Sequence, residues 1–366
     1  MHHRRRDYLG RGHSAAELAS ALRAGEFVRL GRGIYGEAGS WQTPEDRHRD
    51  LVAAMVPDLK AGSVLSHVTA GVLHDLWLPA RALDRVQVVR AGKGGGSVSR
   101  YLHVHRGGSQ RSVPAPGLEI EMTDLLTTTM DLLRQLPIAD AVGVADSALR
   151  RGLDRDELLE ELDRRRRVPG NRTARIAAEF ANPRAESRGE SFSRWRIHEL
   201  GLHAPELQHD IETDAGEFVG RCDFWWRDRG LVGEFDGNVK YGRLLKPGQS
   251  VTEVVLAEKN REEGIRRQGE WLVRWTWREA ESGDFFKIID RGLTLAARRA
   301  GLAWLHWGAY LHSAVYLSLR GVHASRGVRV GTRSGPGSAR HAARTPLRCA
   351  GLVTRCAFGL ERGEQA

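Results

Sequence analysis

The chain has 366 residues, 41% hydrophobic and 28% charged, which suits two or three soluble domains and is too polar for a bundle of membrane helices. With 56 Lys and Arg against 46 Asp and Glu it carries a net +10, which points to a polyanionic partner. Three cysteines (Cys222, Cys349, Cys356) and no CxxC pair argue against a disulfide framework and against zinc.

The charge is unevenly placed. Residues 301–366 hold nine Arg and two Glu, and Arg4, Arg5 and Arg6 add three more charges, so 7–300 is close to neutral. The opening MHHRRR lacks an apolar stretch behind it, so no signal peptide is expected and the expected compartment is the cytoplasm. Residues 301–319 are uncharged but spend positions on Gly, Ser and two His, a poor membrane span.

In chain order, residues 14–25 (SAAELASALRAG) read as a helix with a Ser14/Glu17 capping box and a stop at Gly25. FVRLGRGIYG follows as two short β-prone runs about Gly31-Arg32-Gly33, a tight hairpin. A short helix and a basic hairpin predict a winged helix-turn-helix over 1–60. Thr43-Pro44-Glu45-Asp46 opens a helix to about Val56, and 66–76 is another helix. His67 and His74 share its face without a third ligand nearby, which favours capping or core roles over metal. Residues 85–90, 101–106 and 117–121 read as strands, and 123–136, 138–151 and 154–167 as helices. The RRRR at 164–167 complements a helix C-terminus, and 181–189 reads as a linker.

Beyond it the expected order is α-β-β-β-α-β-α: a helix over 189–200, strands near 206–212, 218–226 and 231–236, a helix over 251–268, a strand over 271–277 and a helix over 284–299. Trp271, Trp275 and Trp277 read as core. Residues 301–366, rich in Gly, Ser and Arg, read as a disordered basic tail.

Asp223 lies within the second of these strands, and Glu234 and Asp236 stand two apart on one face of the third. If the two strands form a hairpin, three carboxylates converge, and a hard divalent cation such as Mg2+ relieves their repulsion. Glu190, in the preceding helix, is placed to reach in. The competing reading is a solvated face on which Asp223 pairs with Arg221 or Arg243.

The strand Asp, the Glu-x-Asp-Gly, EKNREEGIRR and GEWLVRWTW together resemble the PD-(D/E)xK nuclease superfamily, in the branch similar to very-short-patch-repair endonucleases. RGESFSRWRIHELGL with Glu190, and Gln208, fit that branch too. The likeness covers 186–300. It implies an α/β restriction-endonuclease-like domain hydrolysing DNA phosphodiesters, with Asp223 and Glu234 as Mg2+ ligands and Asp236 assisting. Asp236 stands where the superfamily carries lysine, so Lys240 or Lys259 is the candidate cation.

Residues 7–180 resemble the N-terminal region of AbiEi-type antitoxins, through LRAGEFVRLGRGIYG, LSHVTAGVLHDLWLP and GLEIEMTDLLTTTMDLLR. This implies an α+β N-terminal region in which an α/β part over 61–180 follows the winged helix, DNA contact through Arg23, Arg29 and Arg32, and a cognate toxin as partner. Residues 1–116 carry 17 basic and 10 acidic side chains, enough for phosphate contacts. Two functions follow, a Mg2+-dependent DNA endonuclease and a non-catalytic repressor or antitoxin-like regulator.

Overall fold

A computed structural model describes residues 2–92, 95–107, 111–237 and 250–299. Residues 301–366, and with them the expected tail, lie outside the described residues, as does Lys240. The protein is a mixed α+β structure, and its described residues belong to one compact unit.

The chain opens with β1 (His2–Arg4), α1 (Arg5–Gly10), α2 (Ala15–Ala24), β2 (Phe27–Gly31), β3 (Ile34–Glu37) and α3 (Pro44–Met55). The strands make an antiparallel sheet in the order β1-β3-β2. The local signals act as read: Ser14 and Glu17 form the capping box of α2, and Thr43 and Asp46 that of α3. Leu30 and Ile34 of the hairpin pack with Leu51 and Val52 of α3 and with valines of the second sheet, so the two sheets share one core.

That second sheet contains β4 (Ser63–Leu65), β5 (Val86–Ala91), β6 (Ser97–Val98), β7 (Leu102–Gly107), β8 (Ser112–Pro114) and β9 (Glu121–Thr123), with α4 (His67–Leu73) following β4. Its order is β6-β7-β5-β4-β9-β8, and β5 and β7 run parallel. The strand expected at 117–121 begins only at Glu121. Gly117 has φ 70, and Ala115 N–H donates to the Ile120 carbonyl, so 115–120 form the turn that lets β8 and β9 pair. The helix expected over 66–76 ends at Leu73. His74 meets the Thr123 carbonyl at 2.8 Å, and the buried His67 stacks on His105 with centroids 3.6 Å apart.

Next come α5 (Leu125–Gln135), α6 (Ile138–Arg150), α7 (Arg155–Arg164) and α8 (Asn171–Phe180), packed around Leu132, Leu133, Val144, Leu158 and Leu162. Arg164 and Arg165, at the end of α7, pair with Glu160 and Glu161. Helix α8 is not among the expected elements. Its alanines Ala174, Ala177 and Ala178 allow close approach to α5, α6 and α7, and the same alanines favour a helix intrinsically.

The C-terminal part comprises α9 (Arg188–Glu199), β10 (Glu206–Glu212), β11 (Phe218–Trp226), β12 (Leu231–Asp236), α10 (Val251–Arg267), β13 (Trp271–Thr276), α11 (Trp277–Glu281) and α12 (Asp284–Arg299). Its sheet runs β10-β11-β12-β13, antiparallel except for β12 and β13, which α10 connects as a parallel pair. One face packs Phe224, Trp226 and Trp275 against α9, α11 and α12. The other face is thinner and sets Cys222, Val232 and Leu272 against Ile265 of α10. Trp275 is fully buried, as expected of core, with its indole N–H on Ser193 Oγ at 2.8 Å. Trp277 instead begins α11 and is half-buried.

Residues 181–189 are not a loose tether. Ala181 and Ala185 are buried, and beside them α9 is fastened to α6 by two buried acids. Asp140 accepts from Arg188 Nη2 at 2.9 Å and also pairs with Arg81. Asp146 accepts from Arg194 Nη2 at 2.8 and 2.9 Å and from the Asn182 N–H. Among the described residues no helix is long and apolar enough to cross a membrane.

Candidate functional site

The acids of the C-terminal part collect where its sheet comes apart. β11 and β12 pair at Trp226↔Leu231, Trp225↔Val232 and Phe224↔Gly233, whereas β12 stays paired with β13 as far as Asp236↔Thr276. Just beyond the last β11–β12 pair, the Phe235 N–H donates to Asp223 Oδ2 at 2.8 Å. A side-chain carboxylate thus replaces the ladder at the fork.

The neighbouring strand is distorted at the same level. Gln208 of β10 has φ 53, a left-handed backbone that only glycine adopts freely. Leu207 and Phe224 serve the core under α9 and α12, yet Ile211 and Cys222 of the same strands serve the core under α10. The changeover falls at Gln208 and Asp223. Gln208 Nε2 donates to Asp223 Oδ1 at 3.3 Å and to Glu190 Oε2 at 2.8 Å, so one amide joins the two acids. Backbone strain of this kind persists where surrounding contacts over-determine it and concentrates at functional sites.

Glu190 reaches the site from the first turn of α9. Ser187 caps that helix by accepting the Glu190 N–H, while Glu190 Oε2 accepts the Glu186 N–H at 2.7 Å. Glu190 is 7% exposed, and burial raises its carboxyl above the usual range. Asp223 is pushed up to about 7, first by burial and then by the carboxylates of Glu190 and Glu234. Near neutral pH the pair therefore resists carrying two charges, as close buried carboxylates do. Asp223 does not pair with Arg221, which is taken by Glu186. Arg243 lies outside the described residues.

Glu234 is differently occupied. Arg261 Nη2 donates to its Oε1 and Arg274 Nε to its Oε2, both at 2.7 Å. The two guanidiniums also serve Glu258, and Arg274 reaches Glu262 at 3.2 Å. Asp236 is exposed at the end of β12 and Lys259 is exposed on α10. Asp223 and Glu190 are thus brought together, and Glu234 stands beside them inside an arginine network. Among the described residues no group of three or more His, Cys, Asp or Glu side chains is arranged to hold a metal ion.

Sequence reasoning missed Arg261 and Arg274. Arg274 sits opposite Glu234 in the β12–β13 register, and a lone charge in the Trp-rich WLVRWTW was the available signal. Arg23, Arg29 and Arg32 are exposed around the N-terminal hairpin, with Arg29 5.8 Å from the Tyr35 ring centre.

The first turn of α9 lies so close to β12 that a Cβ on Gly189 would stand 1.9 Å from the Phe235 ring. Gly189→Ala is expected to lower stability by about 1–3 kcal/mol, measured by urea denaturation. A variant as stable as the parent would show that this turn is not held by close packing.

No family model matches the chain. It is 30% identical over 151 residues to the uncharacterized proteins MT2308 and Rv2248 from two strains of Mycobacterium tuberculosis, covering 37% of this chain and 55% of each of theirs. The chain thus spans about half the length of the curated relatives it matches. A crystal structure of the RV2827C protein of Mycobacterium tuberculosis aligns with a TM-score of 0.32 and 12% identity, over 58% of this chain and 84% of that one.

Proposed function

We propose that this is a DNA-binding protein whose C-terminal part is a PD-(D/E)xK-type, metal-dependent endonuclease domain hydrolysing DNA phosphodiesters. One observation carries the reading: Glu190 and Asp223, from different elements, meet on one Gln208 amide at the fork between β11 and β12. The domain has the element order α-β-β-β-α-β-α that the superfamily resemblance implies, with the short α11 added before the last helix.

The donor set suits Mg2+. Both acids offer hard oxygens, and the amide between them is a neutral donor that can yield to a cation. Glu234, with each oxygen on a guanidinium, is the poorer ligand, so the proposed pair is Asp223 with Glu190 in place of Asp223 with Glu234. When bound, the ion supplies charge neutralisation at the phosphate and a more acidic water. Gln208 orients the two carboxylates, and the Phe235 N–H fixes Asp223. Arg261 takes the place of the superfamily's lysine as the cation near the attacked phosphate. Lys259, exposed on the same helix, is a further DNA contact. Arg23, Arg29 and Arg32 contact backbone phosphates through the winged-helix region.

Plasmid nicking in Mg2+ tests the reading. Wild type is expected to nick, and Asp223→Ala and Glu190→Ala to fall to background, a loss of at least about 100-fold for a metal-assisted step. Equal nicking by all three proteins, or none by any, overturns catalysis. The same arginine pairing of Glu234 favours a second reading, a metal-independent repressor or antitoxin-like regulator with a toxin partner. That reading expects retention of specific DNA in EDTA without cleavage.

A further inference from the structure

A second feature lies apart from the carboxylates. A cleft of about 450 Å³ opens between α3, the segment after α4, and the α9–α11 corner, within the range of about 300–1,000 Å³ common for small-ligand sites. Two half-buried indoles, Trp77 and Trp277, line it from opposite halves of the chain together with Val72, Leu76 and Leu78. We propose that this cleft binds an unpaired nucleobase.

The walls are built rather than incidental. Asp75, with φ 53, turns the chain after α4, and the Trp77 N–H is held by Ser147 Oγ at 3.1 Å. Arg188 lies 4.3 Å over the Trp277 ring centre while Asp140 grips its Nη2, and its buried Nε finds no acceptor among the described residues. Arg49 is fixed by Asp75 and by Asp46, the capping acid of α3. The Trp77 indole, the Arg188 guanidinium held over Trp277 and the apolar side chains beside them match a flat heterocycle that stacks and offers acceptors at its edge.

Charge narrows the ligand further. The lining holds Glu45, Asp46 and Asp75 against two arginines, so it does not favour a phosphate. It accepts instead the exocyclic amino groups of a base, whose sugar and phosphate stay outside. The base can come from a bound DNA strand or from a free nucleoside. The first source rests on the DNA-binding reading above and extends it to bases that are out of the duplex.

The test uses full-length protein in EDTA and two probes. One is a short duplex with a single unpaired 2-aminopurine, compared with its fully paired counterpart; the other is free adenosine in equilibrium dialysis. The unpaired-base duplex is expected to bind at least about fivefold tighter than the paired one, with 2-aminopurine emission quenched by stacking. Trp77→Ala and Trp277→Phe are each expected to weaken that preference while leaving paired-duplex affinity unchanged. Equal binding of both duplexes without quenching overturns the proposal and leaves the DNA reading standing. Trp77-dependent retention of adenosine without binding of either duplex supports the base site and overturns the DNA reading. Binding of neither probe overturns both.

Discussion

Asp223→Asn should stabilise the protein in metal-free buffer at pH 8 by about 2 kcal/mol, even as it removes Mg2+-dependent cleavage. Asp223 has its carboxyl pushed up to about 7 in the fold, from an ordinary 3.8. A raised acid retains its proton in the folded state at pH values where the unfolded chain has released it. Its stabilising contribution is therefore complete below about pH 4, shrinks as pH rises through the folded value near 7, and stays lost above it. A shift of about three units corresponds to about 4 kcal/mol as an upper limit, and local relaxation leaves about half.

Asparagine keeps an oxygen for the Phe235 N–H and does not ionise. The difference between variant and parent should accordingly be small at pH 4, grow towards pH 7 and level off beyond. Urea midpoints at pH 5 and pH 8 in EDTA measure it. Added Mg2+ should narrow or reverse the gap by stabilising only the parent. Identical midpoints at pH 8 would mean that Asp223 sits in a relaxed, hydrated setting and is no strained site acid.

The second large effect is expected at Asp146→Ala, with a loss of about 3–5 kcal/mol. Asp146 is fully buried on α6 and takes two hydrogen bonds from Arg194 and one from the Asn182 N–H. Removing one partner of a buried ion pair leaves the other charge desolvated and uncompensated. Arg194→Ala should cost a similar amount, and the double variant much less than the two single losses added. Additive losses, or a loss under about 1 kcal/mol for Asp146→Ala, would show that the pair does not hold α9 to α6.

Local chemistry made much of the fold legible. The Ser14 and Thr43 capping boxes are where the spacing put them, and strands β10, β11 and β12 span the residues that alternation and turn glycines marked. Other elements were harder to see. α8 begins directly after the Pro169-Gly170 break, which masks the helix that its alanines favour, and β9 is confined to Glu121–Thr123 by the turn at Gly117. The same division holds at the site. Alternation placed Glu234 and Asp236 on one face, but it could not show that two arginines 27 and 40 residues away take Glu234. The joining of Glu190 to Asp223 depends on the left-handed turn at Gln208, which no period in the sequence encodes.

Helix α9 answers to two masters within seven residues: Arg188 and Arg194 turn to α6, and Glu190 turns to the fork. A recombination event that moved the carboxylate-bearing part onto another carrier would strand both arginines and unseat the acid between them. The two halves are therefore expected to tolerate exchange only together, unless Asp140 with Arg188 and Asp146 with Arg194 are replaced in step.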